Sequence, residues 1–295
     1  MRISTVGMTE RLLVQLQQAQ LRLAREQEQV GTGKKLNRPS DDAFGTARLL
    51  ETQTRTENNM QYQRNIAVAK TDLTASESAM ASLHDVLARA AELATQAASD
   101  NLSASDRANI GLEVGQLLQE AISLGNTKYA GRYIFSGHQT NTPAFSPDVA
   151  ANPTAVTYNG DTGTIDREIA QGERVRVNIT GDTVWPGVFT TLIQFRDDLM
   201  SNNFPGVQNA TAAIATQIEG ELNLRSEIGA KTRRVEMSEV RLQDEAAMLN
   251  IVQSGIQDVD LADAIVQLQI QETAYQAALG VAGRTLNVSL LDFLR

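Results

Sequence analysis

The residues of this sequence that could act in catalysis are few and scattered. Asp161, Thr162 and Gly163 form the tripeptide that carries the catalytic carboxylate of aspartic proteases, but that chemistry requires two such carboxylates sharing a proton. The sequence holds a single copy, within Asn159-Gly160-Asp161-Thr162-Gly163, a composition typical of a turn. We therefore interpret the tripeptide as a turn and predict that the protein is not an enzyme.

Candidate metal and cofactor ligands are equally sparse. The chain has two histidines, His84 and His138, and no cysteine. Disulfides, thiolate zinc sites and cysteine nucleophiles are thereby excluded, and neither histidine has a second His or Cys nearby to complete a metal site. The glycine patterns that cradle phosphates or dinucleotides are also missing. We expect no catalytic residues, no cofactor and no metal.

The net charge limits the partners. Lys and Arg number 26 against 35 Asp and Glu, giving −9 and a pI near 4.9. Nucleic acid and anionic membrane surfaces both require clustered basic residues, so neither is expected as a partner. No stretch reaches 18 apolar residues and the N-terminus does not resemble a signal peptide. If the protein leaves the cell, we expect a route without a cleaved signal.

Proline and aromatic residues divide the chain into three parts. None of the six prolines falls in 40–142 or 206–295, so both stretches are free to form long helices. Nine of the 13 aromatic residues lie between Tyr129 and Phe204, among short Val-, Ile- and Thr-rich runs separated by Gly turns. Such runs favour short antiparallel strands. The predicted fold is mainly α, a long antiparallel helical bundle or coiled coil built from both chain ends, with a small β-rich insertion.

Apolar stripes mark the two ends of the chain. In the C-terminal segment, positions 261, 265, 268, 272, 275, 279, 282, 286, 289 and 293 alternate by 4 and 3, and most are apolar. The N-terminal stripe is shorter and is interrupted at Glu26. A repeat of 3.5 residues is typical of a coiled-coil seam. The predicted assembly interface is Leu12, Leu16, Leu23, Leu261, Ile265, Leu268, Tyr275, Leu279, Leu286 and Phe293.

Breaks in these stripes give the predicted domain boundaries. The segments 31–39 and 257–260 interrupt the helical patterns, and Ser40 or Asp41 is suited to cap a helix that we predict over about 41–98. Ser103, with Asp106 three residues further on, resembles a capping box for the next helix. We predict a terminal coiled-coil domain (1–40 with 257–295), a long-helix bundle (41–130 with 206–256) and a β-rich outer domain (131–205). Two helices alone bury little surface, so we expect the terminal domain to be mobile in the monomer and ordered on assembly.

Three segments resemble the flagellin family. They are LNRPSDDAFGTARL (36–49), LARAAELATQAASDNLSASDR (87–107) and the C-terminal run from ADAIVQLQIQ to SLLDFLR (262–295). Within that family, the opening MRIST and the segment KYAGRYIFSGHQTNTPAF (128–145) are most similar to the members that join hook and filament. The resemblance extends over nearly the whole chain.

The resemblance implies a structural role in the bacterial flagellum. Copies would assemble as a ring through their terminal helices, between hook-associated protein 1 on the hook side and flagellin on the filament side. It also implies an extracellular location, export through the flagellar type III channel, and a dedicated export chaperone. The alternatives are a short or minor flagellin that forms the filament itself, and a secreted adhesin or effector with a coiled-coil stalk.

Overall fold

The computed structural model describes the backbone of residues 2–293 and the side chains of residue 7 and residues 10–284. This part of the chain contains six helices and six short strands, and all six strands lie between the third and fourth helices. The helices are α1 (Arg2–Thr32), α2 (Ala43–Ala97), α3 (Ala104–Gly125), α4 (Trp185–Met200), α5 (Phe204–Gln257) and α6 (Leu261–Phe293). The strands are β1 (Lys128–Tyr129), β2 (Arg132–Tyr133), β3 (Phe145–Pro147), β4 (Val156–Tyr158), β5 (Asp166–Ala170) and β6 (Glu173–Arg176). The mainly α fold with a small strand-containing middle is confirmed.

The start of α2 differs slightly from its prediction. The residue that caps it is Asp42, whose Oδ1 accepts the backbone N–H of Gly45 at 2.9 Å. Asp41 faces the preceding loop, where its Oδ2 accepts the N–H groups of Asn37 and Arg38 at 3.3 and 2.9 Å. Asp41 thus stabilises the loop before α2, and Asp42 caps the helix. The sequence pattern could not assign them, because both are good cap residues.

The start of α3 was predicted correctly. Ser103 precedes the helix with extended backbone, and its hydroxyl accepts the N–H of Asp106. The Asp106 carboxylate in turn accepts the N–H of Ser103 at 3.1 Å. This reciprocal capping box satisfies two N–H groups that the first helical turn would otherwise leave unpaired.

The described chain divides into two compact units, 1–58 with 244–295 and 59–243. Within the second unit, the hydrogen bonds show that α2 and α5 lie side by side in opposite directions. Asn59 Nδ2 donates to the carbonyl of Leu242 at 3.0 Å. Some 20 residues further along α2, Glu77 Oε1 accepts from Arg225, which lies closer to the start of α5.

The core of the second unit draws on its four helices and on strands β3, β5 and β6. Fully buried apolar side chains come from α2 (Leu73, Met80, Leu83, Leu87), α3 (Val114, Leu118), α4 (Val188, Leu192) and α5 (Ile214, Val235). The strands form three two-stranded antiparallel sheets, and the β5–β6 sheet is bonded to these helices through its backbone carbonyls. Asn65 Nδ2 and Ser238 Oγ, from α2 and α5, donate to the carbonyls of Glu168 and Ile169 on β5.

Helix α4 was not foreseen by the sequence analysis, which assigned its residues to the β-rich insertion. Its first turn contains Pro186, a position where proline is tolerated because the N–H would be unpaired in any case. Trp185 and Phe189 project from this helix into an aromatic cluster with Phe135 and Phe145. Short aromatic-rich helices and strands use the same residue types, so composition alone assigned this segment wrongly.

The Asp161-Thr162-Gly163 tripeptide forms a turn, as predicted. One carboxylate oxygen of Asp161 accepts the backbone N–H groups of His138 and Gly163 at 2.7 and 2.9 Å. The carbonyl of Asp161 accepts the hydroxyl of Tyr158 at 2.9 Å. The carboxylate therefore connects two loops.

We expect the contribution of Asp161 to stability to depend on pH. The N–H groups of His138 and Gly163 hold the pKa of the Asp161 carboxyl below its usual value. A lowered pKa in the folded state gives stability that is present above the unfolded-state pKa, about 4, and is lost as the pH falls through the folded-state value. The variant Asp161→Asn keeps an acceptor oxygen but has no charge. Its melting temperature should lie below that of the wild type at pH 7 and approach it at pH 3. A gap of equal size at both pH values would contradict this assignment.

Candidate assembly interface

Helices α1 and α6, the first and last of the chain, pack against each other. The segment that follows α1 and the segment that leads into α6 meet at a backbone joint, which we define as residues 33–38 and 255–260. Lys34 and Asp258 form an isolated antiparallel bridge. On either side of it, Lys35 N donates to Gln257 O at 2.8 Å and Val259 N donates to Gly33 O at 3.0 Å. Both predicted breaks in the helical stripes are thus parts of one hydrogen-bonded structure.

The backbone at Gly33 has a φ of +68°, which a residue with a side chain rarely adopts. Lys35 then extends its ammonium group to the carbonyl of Gly255 at 2.8 Å, in the last turn of α5. A cation is stabilised there by the unpaired carbonyls and the helix dipole. The joint therefore has specific side-chain support as well as backbone bonds.

Charged groups also connect α1 with the loop that leads to α2. Arg38 pairs with Glu28 at 3.1 Å and Arg25 with Asp41 at 3.5 Å. The N–H of Arg38 is the main cause that holds the pKa of Asp41 below its usual value, and Arg25 adds to this effect. In both ion pairs the arginine is exposed to solvent, so the pairs orient the loop and stabilise it only weakly.

The two helices pack along what we call the inner seam, the set of side chains that are buried or half-buried between them. Both halves of the seam are spaced by 4 and 3, and they run in opposite directions. On α1 the seam consists of Leu12, Leu16, Ala19, Leu23, Glu26 and Val30; on α6 it consists of Ala264, Leu268, Gln271, Tyr275, Ala278 and Ala282. The spacing is that of an antiparallel coiled coil.

The structure separates the predicted interface residues into two groups. Leu12, Leu16, Leu23, Leu268 and Tyr275 lie in the inner seam. Three others face solvent: Leu261, Ile265 and Leu279, which are 51%, 52% and 44% exposed. The side chains of Leu286 and Phe293 lie outside the described residues.

Sequence reasoning missed half of the inner seam on α6. Ala264, Gln271 and Ala278 face α1, whereas the predicted stripe runs through Leu261, Ile265 and Leu279 beside them. Both stripes share Leu268, Tyr275 and Ala282, so α6 carries two overlapping repeats. Small Ala and polar Gln give a weak hydrophobic signal, and the larger residues of the neighbouring stripe conceal it.

Helix α6 exposes apolar residues on several faces, and we call this set the outer apolar surface. From residue 261 to residue 284 the helix has only three charged residues, Asp263, Glu272 and Arg284. A helix that is apolar nearly all round is normally enclosed by other helices. The exposed members on α6, between 44% and 57% exposed, are Leu261, Ile265, Val266, Ile270, Leu279 and Val281, and α1 adds Leu13, Val14 and Leu21.

The histidine of the long helices, His84, contacts a buried glutamate. His84 Nδ1 lies 2.9 Å from the Oε2 atom of Glu221, whose side chain is fully buried between α2 and α5. Among residues with described side chains, no cluster of three or more His, Asp or Glu side chains could hold a metal ion. Likewise, none of the described helices combines the length and the apolar character that crossing a membrane requires.

Family models match both ends of the chain. Residues 3–140 match the bacterial flagellin N-terminal helical region, and residues 211–294 match the bacterial flagellin C-terminal helical region. Together the two regions cover well over half of the chain. They include nearly all of α1, all of α2 and α6 and most of α5, among them the helices that carry the seam and the joint.

Individual proteins resemble the chain over most of its length. Flagellar hook-associated protein 3 of Escherichia coli is 24% identical over 94% of this chain and 95% of its own. A flagellar filament 31.3 kDa core protein of Treponema maltophilum is 26% identical over 92% and 91%. The crystal structure of the flagellar junction protein FlgL from Legionella pneumophila has a TM-score of 0.61 and 17% identity, covering 72% of this chain and all of that one.

Proposed function

Because this chain belongs to the flagellin family, we propose that it is the structural protein that joins hook and filament in the bacterial flagellum. Its similarity to a hook-associated protein runs nearly from end to end. The observation that carries an assembly role is the outer apolar surface of α1 and α6. Apolar patches of this kind on a soluble protein mark interaction sites.

In this proposal the outer apolar surface is buried against helices α1 and α6 of neighbouring copies. The inner seam then holds α1 to α6 within one copy, while Leu261, Ile265 and Leu279 contact the next copy. Repetition around a ring would enclose α6 on all sides, as its composition favours. The terminal domain (1–40 with 257–295) would line the inside, the long-helix bundle (41–130 with 206–256) would surround it, and the β-rich domain (131–205) would lie outermost.

The partners follow from this position in the flagellum. We propose hook-associated protein 1 as the partner on the hook side and flagellin on the filament side. Export would pass through the flagellar type III channel without a cleaved signal. Before assembly, the exposed Leu261, Val266 and Ile270 of α6 would be prone to aggregation. A flagellar export chaperone that covers this helix would prevent it.

Mobility of the terminal domain before assembly remains a prediction. The exposed apolar residues give α1 and α6 little to bury within one copy, which supports it. Hydrogen exchange of the dilute protein should be fast before residue 40 and after residue 257. Strong protection of both segments at low concentration would contradict it.

Deletion of the gene distinguishes the junction role from its alternatives. We expect cells without the protein to carry hooks that lack filaments and to release flagellin into the medium, with both defects reversed by the wild-type gene. The controls are a strain lacking flagellin, which should show bare hooks without released flagellin, and its parent.

Two outcomes would contradict the junction proposal. If the deletion strain forms filaments of normal length, the protein is dispensable for the junction. Shortened or altered filaments would favour a minor flagellin instead. If motility and flagella are unchanged while adhesion or host-cell effects are lost, the secreted adhesin or effector is the correct alternative.

A further inference from the structure

A second feature of the molecule lies in the unit 59–243 and does not depend on the proposed function. An open cleft with an enclosed volume of about 40 Å³ lies between α2, the β1–β2 hairpin and β5. Asp72 and the two arginines Arg132 and Arg167 reach it from these three elements. The enclosed space is suited to a small polar group such as a carboxylate, and the rest of a ligand would lie at the open mouth.

The two arginines of the cleft make no direct ion pair. The Nε atom of Arg167 is buried and makes no hydrogen bond to any described residue. Among residues with described side chains, neither Arg132 nor Arg167 forms an ion pair within 4 Å. Buried polar atoms are almost always hydrogen-bonded. An unpaired guanidinium beside a second one is suited to binding a carboxylate through two parallel hydrogen bonds.

The third charged group of the cleft has the opposite sign. Asp72 is partly buried, and this burial raises the pKa of its carboxyl against the lowering effect of Arg132 and Arg167. A simple anion would gain nothing from such a neighbour. A ligand that carries hydroxyl groups beside its carboxylate could donate hydrogen bonds to Asp72 while the arginines bind the acid.

The β1–β2 hairpin adds an aromatic ring and sets its position. Tyr129 and Arg132 are directly paired across the two strands, so their side chains lie on the same face. The tight turn between them has Ala130 and Gly131 at φ of 47° and 79°, which fixes this register. Tyr129 is 37% exposed at the cleft, where its ring can cover the C–H face of a sugar. The hydroxyl of Thr140 is a further polar group of the lining.

We propose that this cleft binds a carboxylate-bearing sugar, such as a uronic acid unit of an acidic polysaccharide. Arg132 and Arg167 bind the carboxylate, Asp72 and Thr140 bind ring hydroxyls, and Tyr129 covers the ring. The positive charges of the cleft are thereby paired with the carboxylate, its hydrogen-bonding oxygens with the hydroxyls, and its aromatic ring with the sugar ring. An acidic peptide would use the arginines alone.

The test is a titration of the full chain with D-galacturonate, D-galactose and acetate, followed by saturation-transfer NMR. We expect galacturonate to bind at least tenfold more tightly than galactose or acetate. Arg167→Gln should weaken galacturonate binding at least tenfold. The matched control Arg176→Gln removes an exposed arginine from the neighbouring strand β6 and should leave binding unchanged. Circular dichroism of each variant verifies the fold.

A second variant separates a sugar-acid site from a general anion site. Asp72→Ala removes the negative charge and both acceptor oxygens, so a general anion site would bind both acetate and galacturonate more tightly. In the proposed site, galacturonate loses a hydroxyl acceptor, so its advantage over acetate should fall several-fold. The proposal is overturned if galactose binds as well as galacturonate, or if Arg167→Gln has no effect. It is also overturned if an acetylated glutamate peptide binds more tightly than galacturonate.

Discussion

The variant Leu279→Asp is expected to abolish assembly and leave the monomer folded. Leu279 is 44% exposed and belongs to the outer apolar surface, beside the inner seam. In the monomer the new carboxylate stays in water, so the free energy of unfolding should change by less than about 1 kcal/mol. In the proposed assembly the carboxylate would be buried without a partner in every copy, at several kcal/mol each. Swimming of a deletion strain carrying the variant, together with the melting temperature of the purified protein, measures both effects.

A matched control introduces the same charge at another exposed apolar residue. Val149, which is 51% exposed, lies in the loop between β3 and β4, within the predicted outer domain. Val149→Asp should leave both swimming and stability near wild type. If Leu279→Asp supports normal swimming, the outer apolar surface is not an assembly contact. If it instead lowers the melting temperature strongly, Leu279 belongs to the monomer core.

The variant Phe145→Ala should destabilise the unit 59–243 by about 3–5 kcal/mol, the usual cost of truncating a buried phenylalanine. The ring of Phe145 is 2% exposed and lies between Trp185, Phe189 and Tyr158, with ring centroids 5.0 to 5.9 Å away. It also packs directly on Gly125 and Gly181, where no side chain would fit. Removing it leaves a cavity lined by α3, α4, β4 and the loop at Gly181.

Fluorescence during urea unfolding measures this loss, since Trp185 is the single tryptophan of the chain and lies in the cluster. The midpoint should move to a clearly lower urea concentration. The matched control is Phe44→Ala, because Phe44 is 73% exposed near the start of α2. Its effect should stay below about 0.5 kcal/mol. Equal midpoints for Phe145→Ala and the wild type would show that the cluster contributes little to stability.

The long helices could be predicted from the sequence because few signals compete with them. The proline-free stretch after residue 40 predicted α2 to within two residues at its start and one at its end. The capping box at Ser103 and Asp106 fixed the start of α3. Local rules suffice at such positions, since the groups that terminate a helix lie within it or beside it.

The structure departs from the predictions where tertiary contacts decide. Helix α4 forms because Trp185 and Phe189 complete an aromatic cluster whose other members are more than 30 residues away in sequence. The stripe of α6 was found, but not which of its two overlapping repeats faces α1. Choosing between them requires knowledge of the partner helix. The cleft beside Arg167 left no local pattern, because its three charged residues come from distant segments.

The joint at Lys34 and Asp258 bears on how the proposed junction could carry load. A single covalent connection lets the parts that it joins swivel freely, because rotation about one strand meets little resistance. At this joint two segments of the chain lie side by side, and backbone hydrogen bonds connect them on both sides of the bridge. Twisting them about their common direction would break those bonds. A rotating appendage must transmit torque through every subunit along its length, and a doubled, hydrogen-bonded connection gives each copy torsional stiffness.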